Sequence, residues 1–273
     1  MDFLDRLRAI QRKNNSLLCV GLDTELSKVP RSLLKYDDPL HEFNRRIIEA
    51  TKDVVCAYKL NISFYEASGE KGWSTVHRTL ASIPGGVVTI GDGKRGDIQT
   101  SAEKQAVLLC DDWKFAATTV NPYMGYDAVE PFIRRREQGA FILAVTSNKG
   151  SKDFQHLRVK GKPLYEYVIR AAKKWNANGN IGLVVGATRP AELRRAREIV
   201  PAMPFLIPGI GAQKGDLKST VRYGCDKQGE LAVINVGRGV MYASNGEDFA
   251  EKAREAALRY RDEINLYRDK FFG

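Results

Sequence analysis

Cysteine and histidine are scarce in this chain, with four Cys and three His among 273 residues. Cys19, Cys56, Cys110 and Cys225 stand far apart with no C-x-x-C pair, which argues against a zinc ribbon or a redox motif. Buried thiols in a reducing compartment fit them best. His41, His77 and His156 have no i, i+4 partner, so a helix-borne His–His metal pair is absent. No run of about 18 consecutive apolar residues occurs, as a membrane-spanning helix would need. The opening MDFLDRLRAIQRKNN carries acids and lacks an apolar core, unlike a signal peptide. Repeats, low-complexity tracts and an interdomain linker are missing too. The expectation is a cytoplasmic protein of one domain, residues 1–273, with no membrane partner.

Charge is unbalanced, with 43 Lys and Arg against 33 Asp and Glu and a net +10. The basic residues are scattered, as in Arg45-Arg46, Arg134-Arg135-Arg136, Lys173-Lys174 and Arg194-Arg195. They fall on segments of helical periodicity rather than in one stripe. Solvated helix faces explain most of them, nucleic acid is not expected as a partner, and a small anionic substrate is compatible.

Short apolar runs alternate with longer amphipathic stretches. The runs are Ser16–Asp23, Val54–Asn61, Gly86–Lys94, Ala116–Asn121, Ala140–Thr146, Ile181–Gly186, Pro204–Pro208 and Leu231–Val236. Near-continuous apolar character marks strands buried on both faces, as in a parallel sheet. The spacing predicts helices over Pro39–Thr51, Gly69–Ser82, Ser101–Cys110, Tyr126–Gln138, Leu164–Asn176 and Arg189–Ile199. An N-terminal helix over 2–14 and a C-terminal helix over about 245–268 complete the pattern. This α/β rhythm is that of a (β/α)8 TIM barrel, with a doubly wound open sheet as the structural alternative.

Charges sit at the ends of the apolar runs, where a barrel carries its chemistry. Asp23 ends the first, Lys59 lies near the end of the second, and Asp92 and Lys94 close the third, followed at once by Asp97. Residues two apart in a strand point to one face, so Asp92 and Lys94 are expected side by side, with Lys59 extending an alternating charge chain. Two late glycine segments, Pro208-Gly209-Ile210-Gly211-Ala212-Gln213 and Gly237-Arg238-Gly239, follow runs seven and eight, where barrels commonly hold phosphate. The segment after Gln213, Lys214–Thr220, is a candidate lid. Thr146-Ser147-Asn148 ends the fifth run with small polar groups suited to a heterocycle edge, or to an ordinary turn.

These residues together resemble the orotidine 5′-phosphate decarboxylase family, in its longer bacterial form. The signature D-x-K-x-x-D-I stands as Asp92-Gly93-Lys94-Arg95-Gly96-Asp97-Ile98. GLD at Asp23, YKLN at Lys59, TVNPYMGYD from Thr119, VTSNKG from Val145, VVGAT from Val184, PGIGAQKGD from Pro208 and INVGRG from Ile234 match in order. The resemblance implies loss of carbon dioxide from orotidine 5′-phosphate to give uridine 5′-phosphate, the last step of UMP biosynthesis, without metal or organic cofactor. It implies that Lys94 protonates carbon 6, that Asp92 faces the departing carboxylate, and that Lys59 completes the network. Asp97 would come from the partner subunit of a homodimer, with Ile98 lining the base pocket. Asp23 and Ser101 would contact the ribose, Ser147 and Pro208 the base, and Gln213, Gly237 and Arg238 the phosphate. The family usually has Thr where this chain has Ser101, which keeps the hydroxyl.

Two other functions compete. A magnesium-dependent sugar-phosphate decarboxylase or lyase of the same barrel superfamily would share D-x-K-x-x-D. A non-catalytic nucleotide- or RNA-binding protein would use the positive charge without Lys94 chemistry.

Overall fold

The computed structural model describes residues 1–211 and 215–273. Eight parallel strands close into a barrel in sequential order. They are β1 (Leu18–Gly21), β2 (Ala57–Asn61), β3 (Val88–Arg95), β4 (Ala117–Val120), β5 (Gly139–Val145), β6 (Ile181–Val185), β7 (Phe205–Pro208) and β8 (Ala232–Val236). β8 returns to β1 with Leu18 beside Ile234 and Val20 beside Val236. Each strand lies inside a run expected from the apolar pattern or within a residue of it. Their side chains are almost wholly buried, because the barrel interior covers one face and the outer helices the other. The fold is a (β/α)8 TIM barrel, and closure leaves no sheet edge for the open-sheet alternative.

One end of the barrel is sealed by the N-terminal helix Phe3–Lys13. Phe3 lies edge-on to Phe141 at 5.9 Å between ring centres. It occupies the space beside Gly139, where a Cβ would come within 2.5 Å of the Phe3 ring. Gln11 donates to the Ala232 carbonyl at 2.8 Å and accepts from the Leu231 N–H at 3.0 Å, fastening the helix to the start of β8. That plug leaves the opposite end, at the C-termini of the strands, as the open mouth.

Helices form at Pro39–Thr51, Gly69–Ala81, Leu164–Trp175 and Pro190–Ile199, close to the expected spans. Three expectations need correction. The helix expected over 126–138 stops after Tyr126–Val129, and a 3-10 turn, Glu130–Phe132, follows. Pro131 has no N–H for a helical bond, and buried Asn180 donates instead to the carbonyls of Ile133, Arg135 and Gln138. The helix expected over 101–110 runs Gln99–Ala106 and widens into a π-helical turn, Val107–Asp112. The C-terminal helix spans Phe249–Phe272, because the Ser244 hydroxyl donates to Asp248 at 2.6 Å and holds the preceding residues in a turn.

The scattered basic residues are largely ion-paired, those at 45–46 and 194–195 on helix faces and those at 134–136 in the turn after Phe132. Arg45 and Arg46 both hold Glu42, Arg134 bridges Glu103 and Glu130, and Arg195 holds Glu166 and Glu198. Among the described residues no helix is long and apolar enough to cross a membrane.

Candidate active site

Four charged side chains from three successive strand ends meet at the floor of the open mouth. Asp23 follows β1, Lys59 lies in β2, and Asp92 and Lys94 lie in β3. The Lys59 Nζ donates to Asp23 Oδ1 at 3.1 Å and to Asp92 Oδ2 at 3.0 Å. The Lys94 Nζ donates to the other oxygen of Asp92 at 2.8 Å. Charges therefore alternate along Asp23, Lys59, Asp92 and Lys94.

Register explains the meeting of β1 and β2. Gly21 pairs with Lys59, and the Leu22 N–H donates to the Lys59 carbonyl at 2.8 Å, so Asp23 comes to the end of β2. The Asn61 N–H adds a longer contact to Asp23 Oδ1 at 3.3 Å.

Asp92 and Lys94 do meet, but not through plain strand alternation. The pairing of β3 with β4 shifts between Gly91 and Arg95, which marks a bulge, and Lys94 has a left-handed backbone with φ +47°. A lysine in that region is strained by about 1–3 kcal/mol, so the surroundings must hold it. Thr119 on β4 does so. Its hydroxyl accepts from the Lys94 N–H at 2.9 Å and donates to Asp92 Oδ1 at 2.8 Å.

Lys59 is 3% exposed and Asp92 8%. Burial alone would drive Lys59 toward its neutral form, yet Asp23 and Asp92 outweigh it and hold the ammonium well above the ordinary lysine range. Burial alone would likewise raise Asp92, but Lys59 and Lys94 together carry it well below the usual carboxylate range. Lys59 and Asp92 are thus each held in the charged form by their neighbours. The Lys94 side chain is about half exposed and opens into the mouth.

A cavity of 430 Å³ stands above this floor. Of the sequence-predicted residues, Asp23, Lys59, Asp92, Lys94, Ser147, Pro208, Gly237 and Arg238 line it. Asp97, Ile98 and Ser101 do not, and within one chain they lie outside the cavity, with Ile98 62% exposed. Gln213 lies outside the described residues. The candidate lid is corrected in part, because Asp216 caps a helix at Leu217–Gly224 by accepting from the Ser219 N–H at 3.0 Å. Residues 217–220 are therefore the first turn of that helix, with Leu217 and Thr220 buried.

The far wall carries the glycine segments. Gly209 and Gly211 have φ of +113° and +81°, which side chains rarely tolerate, and they turn the chain sharply after β7. Gly237 and Gly239 flank Arg238 after β8, at the start of a single helical turn, Arg238–Met241. Tyr260, from the C-terminal helix, places its hydroxyl between the two segments. Its Oη lies 3.3 Å from where a Cβ on Gly211 would stand and 2.8 Å from one on Gly239.

Sequence reasoning assigned no role to Thr119, Asn61 or Asn235, which also line the cavity. Thr119 was findable as a polar residue near the C-terminal end of β4, the signal that picked out Lys59. Asn235 lies inside an apolar strand, where a buried amide reads as structural until its neighbours are known.

Residues 16–253 match the family model described as Orotidine 5′-phosphate decarboxylase / HUMPS family. An orotidine 5′-phosphate decarboxylase of Dehalococcoides mccartyi is 48% identical, covering 99% of this chain and 100% of that protein. One of Dechloromonas aromatica is 47% identical over 98% of this chain and 100% of its own length. Among solved structures, the OMP decarboxylase of Leishmania donovani superposes with a TM-score of 0.87 at 40% identity, covering 98% of this chain and 99% of that one. With the barrel, the charge chain at its mouth and this full-length similarity in agreement, the chain belongs to the orotidine 5′-phosphate decarboxylase / HUMPS family.

Proposed function

We propose that this chain converts orotidine 5′-phosphate to uridine 5′-phosphate and carbon dioxide without metal or organic cofactor. The observation that carries this reading is the alternation of Asp23, buried Lys59, buried Asp92 and half-exposed Lys94 below an open cavity. In this reaction the bond from carbon 6 to the carboxylate breaks and its electron pair stays on carbon 6. The pyrimidine offers no neighbouring group to delocalise that pair, so the site must supply a fixed positive charge and a proton.

Lys94 fills both roles in this reading. Its Nζ gives a proton to carbon 6 and recovers one from solvent. A fixed ammonium about 4 Å from the developing charge contributes on the order of 4 kcal/mol at an effective dielectric near 20. That is a fraction of the ~8–23 kcal/mol enzymes commonly supply. Preorganisation and the phosphate grip must add the rest. Asp92, kept ionised, stands against the departing carboxylate and disfavours the bound substrate more than the transition state. Lys59 holds Asp92 in place and reaches the ribose beside Asp23. Ser147 reads the pyrimidine edge, Pro208 lines the base pocket, and Gly237 and Arg238 hold the phosphate together with Gln213.

Asp97, Ile98 and Ser101 enter this scheme through a second copy of the chain. Exposed apolar side chains near the segment support that role, with Ile98 at 62%, Tyr123 at 82% and Met124 at 53%. We infer a homodimer in which Asp97 of one protomer faces the cavity of the other, with Ile98 lining the base pocket and Ser101 reaching the ribose. The four free cysteines, all buried, suit the reducing cytoplasm.

The magnesium-dependent alternative is not favoured, because the cavity's two carboxylates are already bonded to one ammonium at 3.0 and 3.1 Å. A divalent cation would have to displace Lys59. The test is the loss of orotidylate ultraviolet absorbance on adding the protein, with and without EDTA. Turnover that survives the chelator and disappears in Lys94→Ala is expected. Dependence on added magnesium, or salt-dependent polynucleotide binding that survives Lys94→Ala without turnover, would overturn the reading.

A further inference from the structure

After β5 the chain makes an excursion through a short helix, Ser151–Phe154, and a two-stranded hairpin, Arg158–Val159 with Lys162–Pro163, before the helix Leu164–Trp175. Gln155 lies on this excursion, half-buried, and its side chain turns back to the cavity wall. Its Oε1 accepts from the Thr146 N–H at 2.9 Å, and its Nε2 donates to the Thr146 hydroxyl at 2.8 Å. The Thr146 hydroxyl donates in turn to Asn148 Oδ1 at 2.6 Å. Thr146, Ser147 and Asn148 all line the cavity, while Gln155 does not.

The direction of this relay is forced. A backbone N–H can only donate, so the Gln155 atom facing it is the oxygen, and its amino group faces the hydroxyl. That hydroxyl accepts from Gln155 and has its single hydrogen left for Asn148. Both ends of the segment carrying Ser147 are thereby oriented from one side chain. We propose that Gln155 is a positioning residue for base recognition, holding Thr146–Asn148 so that Ser147 meets the pyrimidine edge. This rests on the decarboxylase reading and names a residue through which that site achieves discrimination of its base.

The expected behaviour separates base from phosphate. Gln155→Ala removes both bonds to Thr146 and is expected to raise KM for orotidine 5′-phosphate, and Kd for uridine 5′-phosphate, by about tenfold. Its kcat should change less, because the charge chain is untouched. Binding of ribose 5-phosphate, which lacks the base, should stay within about twofold of the parent protein. Gln155→Glu keeps an acceptor for the Thr146 N–H and has no hydrogen for the Thr146 hydroxyl. It should recover part of the loss, and it serves as the probe if the alanine variant does not fold. Hydrogen exchange at the Thr146 amide should quicken in Gln155→Ala and less so in Gln155→Glu. Equal weakening of uridine 5′-phosphate and ribose 5-phosphate, or no weakening of either, would overturn the positioning role. If the parent protein neither binds uridine 5′-phosphate nor turns over orotidine 5′-phosphate, the decarboxylase reading itself fails, and this role fails with it.

Discussion

Replacing Lys59 with methionine tests the charge chain most directly, because the change removes a buried cation and keeps much of its volume. In the native protein its Nζ lies 3.1 Å from Asp23 and 3.0 Å from Asp92. At an effective dielectric near 20, each contact is worth about 5 kcal/mol before desolvation is counted. Desolvation offsets much of that, and removing one partner of a buried pair costs about 3–5 kcal/mol. In a barrel of this size the melting temperature should fall by roughly 10 °C. Asp92 is where the loss concentrates. Burial pushes it up, Lys59 and Lys94 both bring it down by charge and hydrogen bonding, and in the variant only Lys94 remains.

The sign of the pH effect follows. In the native protein the depressed Asp92 contributes stability that is present above the ordinary carboxylate value of ~3.9 and is lost as pH falls through its lower folded value. Lys59, whose folded value is raised, contributes stability that is present below ~10.4 and is lost as pH rises through the folded value. Lys59→Met removes the alkaline contribution and moves the acid loss upward in pH. In the proposed mechanism Asp92 must be ionised, so kcat/KM at neutral pH should fall on the order of 100-fold, with an acid limb displaced to higher pH. Thermal melts and pH profiles of both proteins check this. A variant that melts within about 2 °C of the parent, with an unmoved acid limb, would refute the argument that Lys59 holds the network.

Thr119→Val removes the acceptor for the Lys94 N–H and a donor to Asp92, and should cost about 1–3 kcal/mol of stability with a matching drop in kcat. Denaturant titration and steady-state kinetics would report both. Gly239→Ala brings a Cβ to 2.8 Å from the Tyr260 hydroxyl and should raise the Kd for ribose 5-phosphate. Adding Tyr260→Phe opens that space, so calorimetry on the double variant should show tighter binding than on Gly239→Ala alone. For the proposed homodimer, mixing inactive Asp97→Ala and Lys94→Ala proteins should restore part of the activity through hybrid dimers. No recovery after confirmed subunit exchange would argue against a shared site.

Much of the architecture was legible along the chain because it depends on local pattern. A strand buried on both faces must be apolar throughout, so eight such runs announced eight strands, and the ends of those runs displayed Asp23, Lys59, Asp92 and Lys94 as charges out of place. Helix boundaries were less legible wherever a distant residue decided them. The segment after Phe132 leaves the helical path because Asn180, more than forty positions later, claims its carbonyls.

By itself, the sequence determined the fold class, the family resemblance and the identity of the four floor charges, since hydrophobic period and residue type are properties of the chain. Only the tertiary structure decided how those charges meet. The bulge that turns Lys94, the Thr119 hydroxyl that braces it, the clasp of Gln155 on Thr146 and the seat of Tyr260 between two glycine segments each join residues from different elements or set a backbone angle. Such joins depend on strand register and side-chain direction, which a linear pattern does not encode.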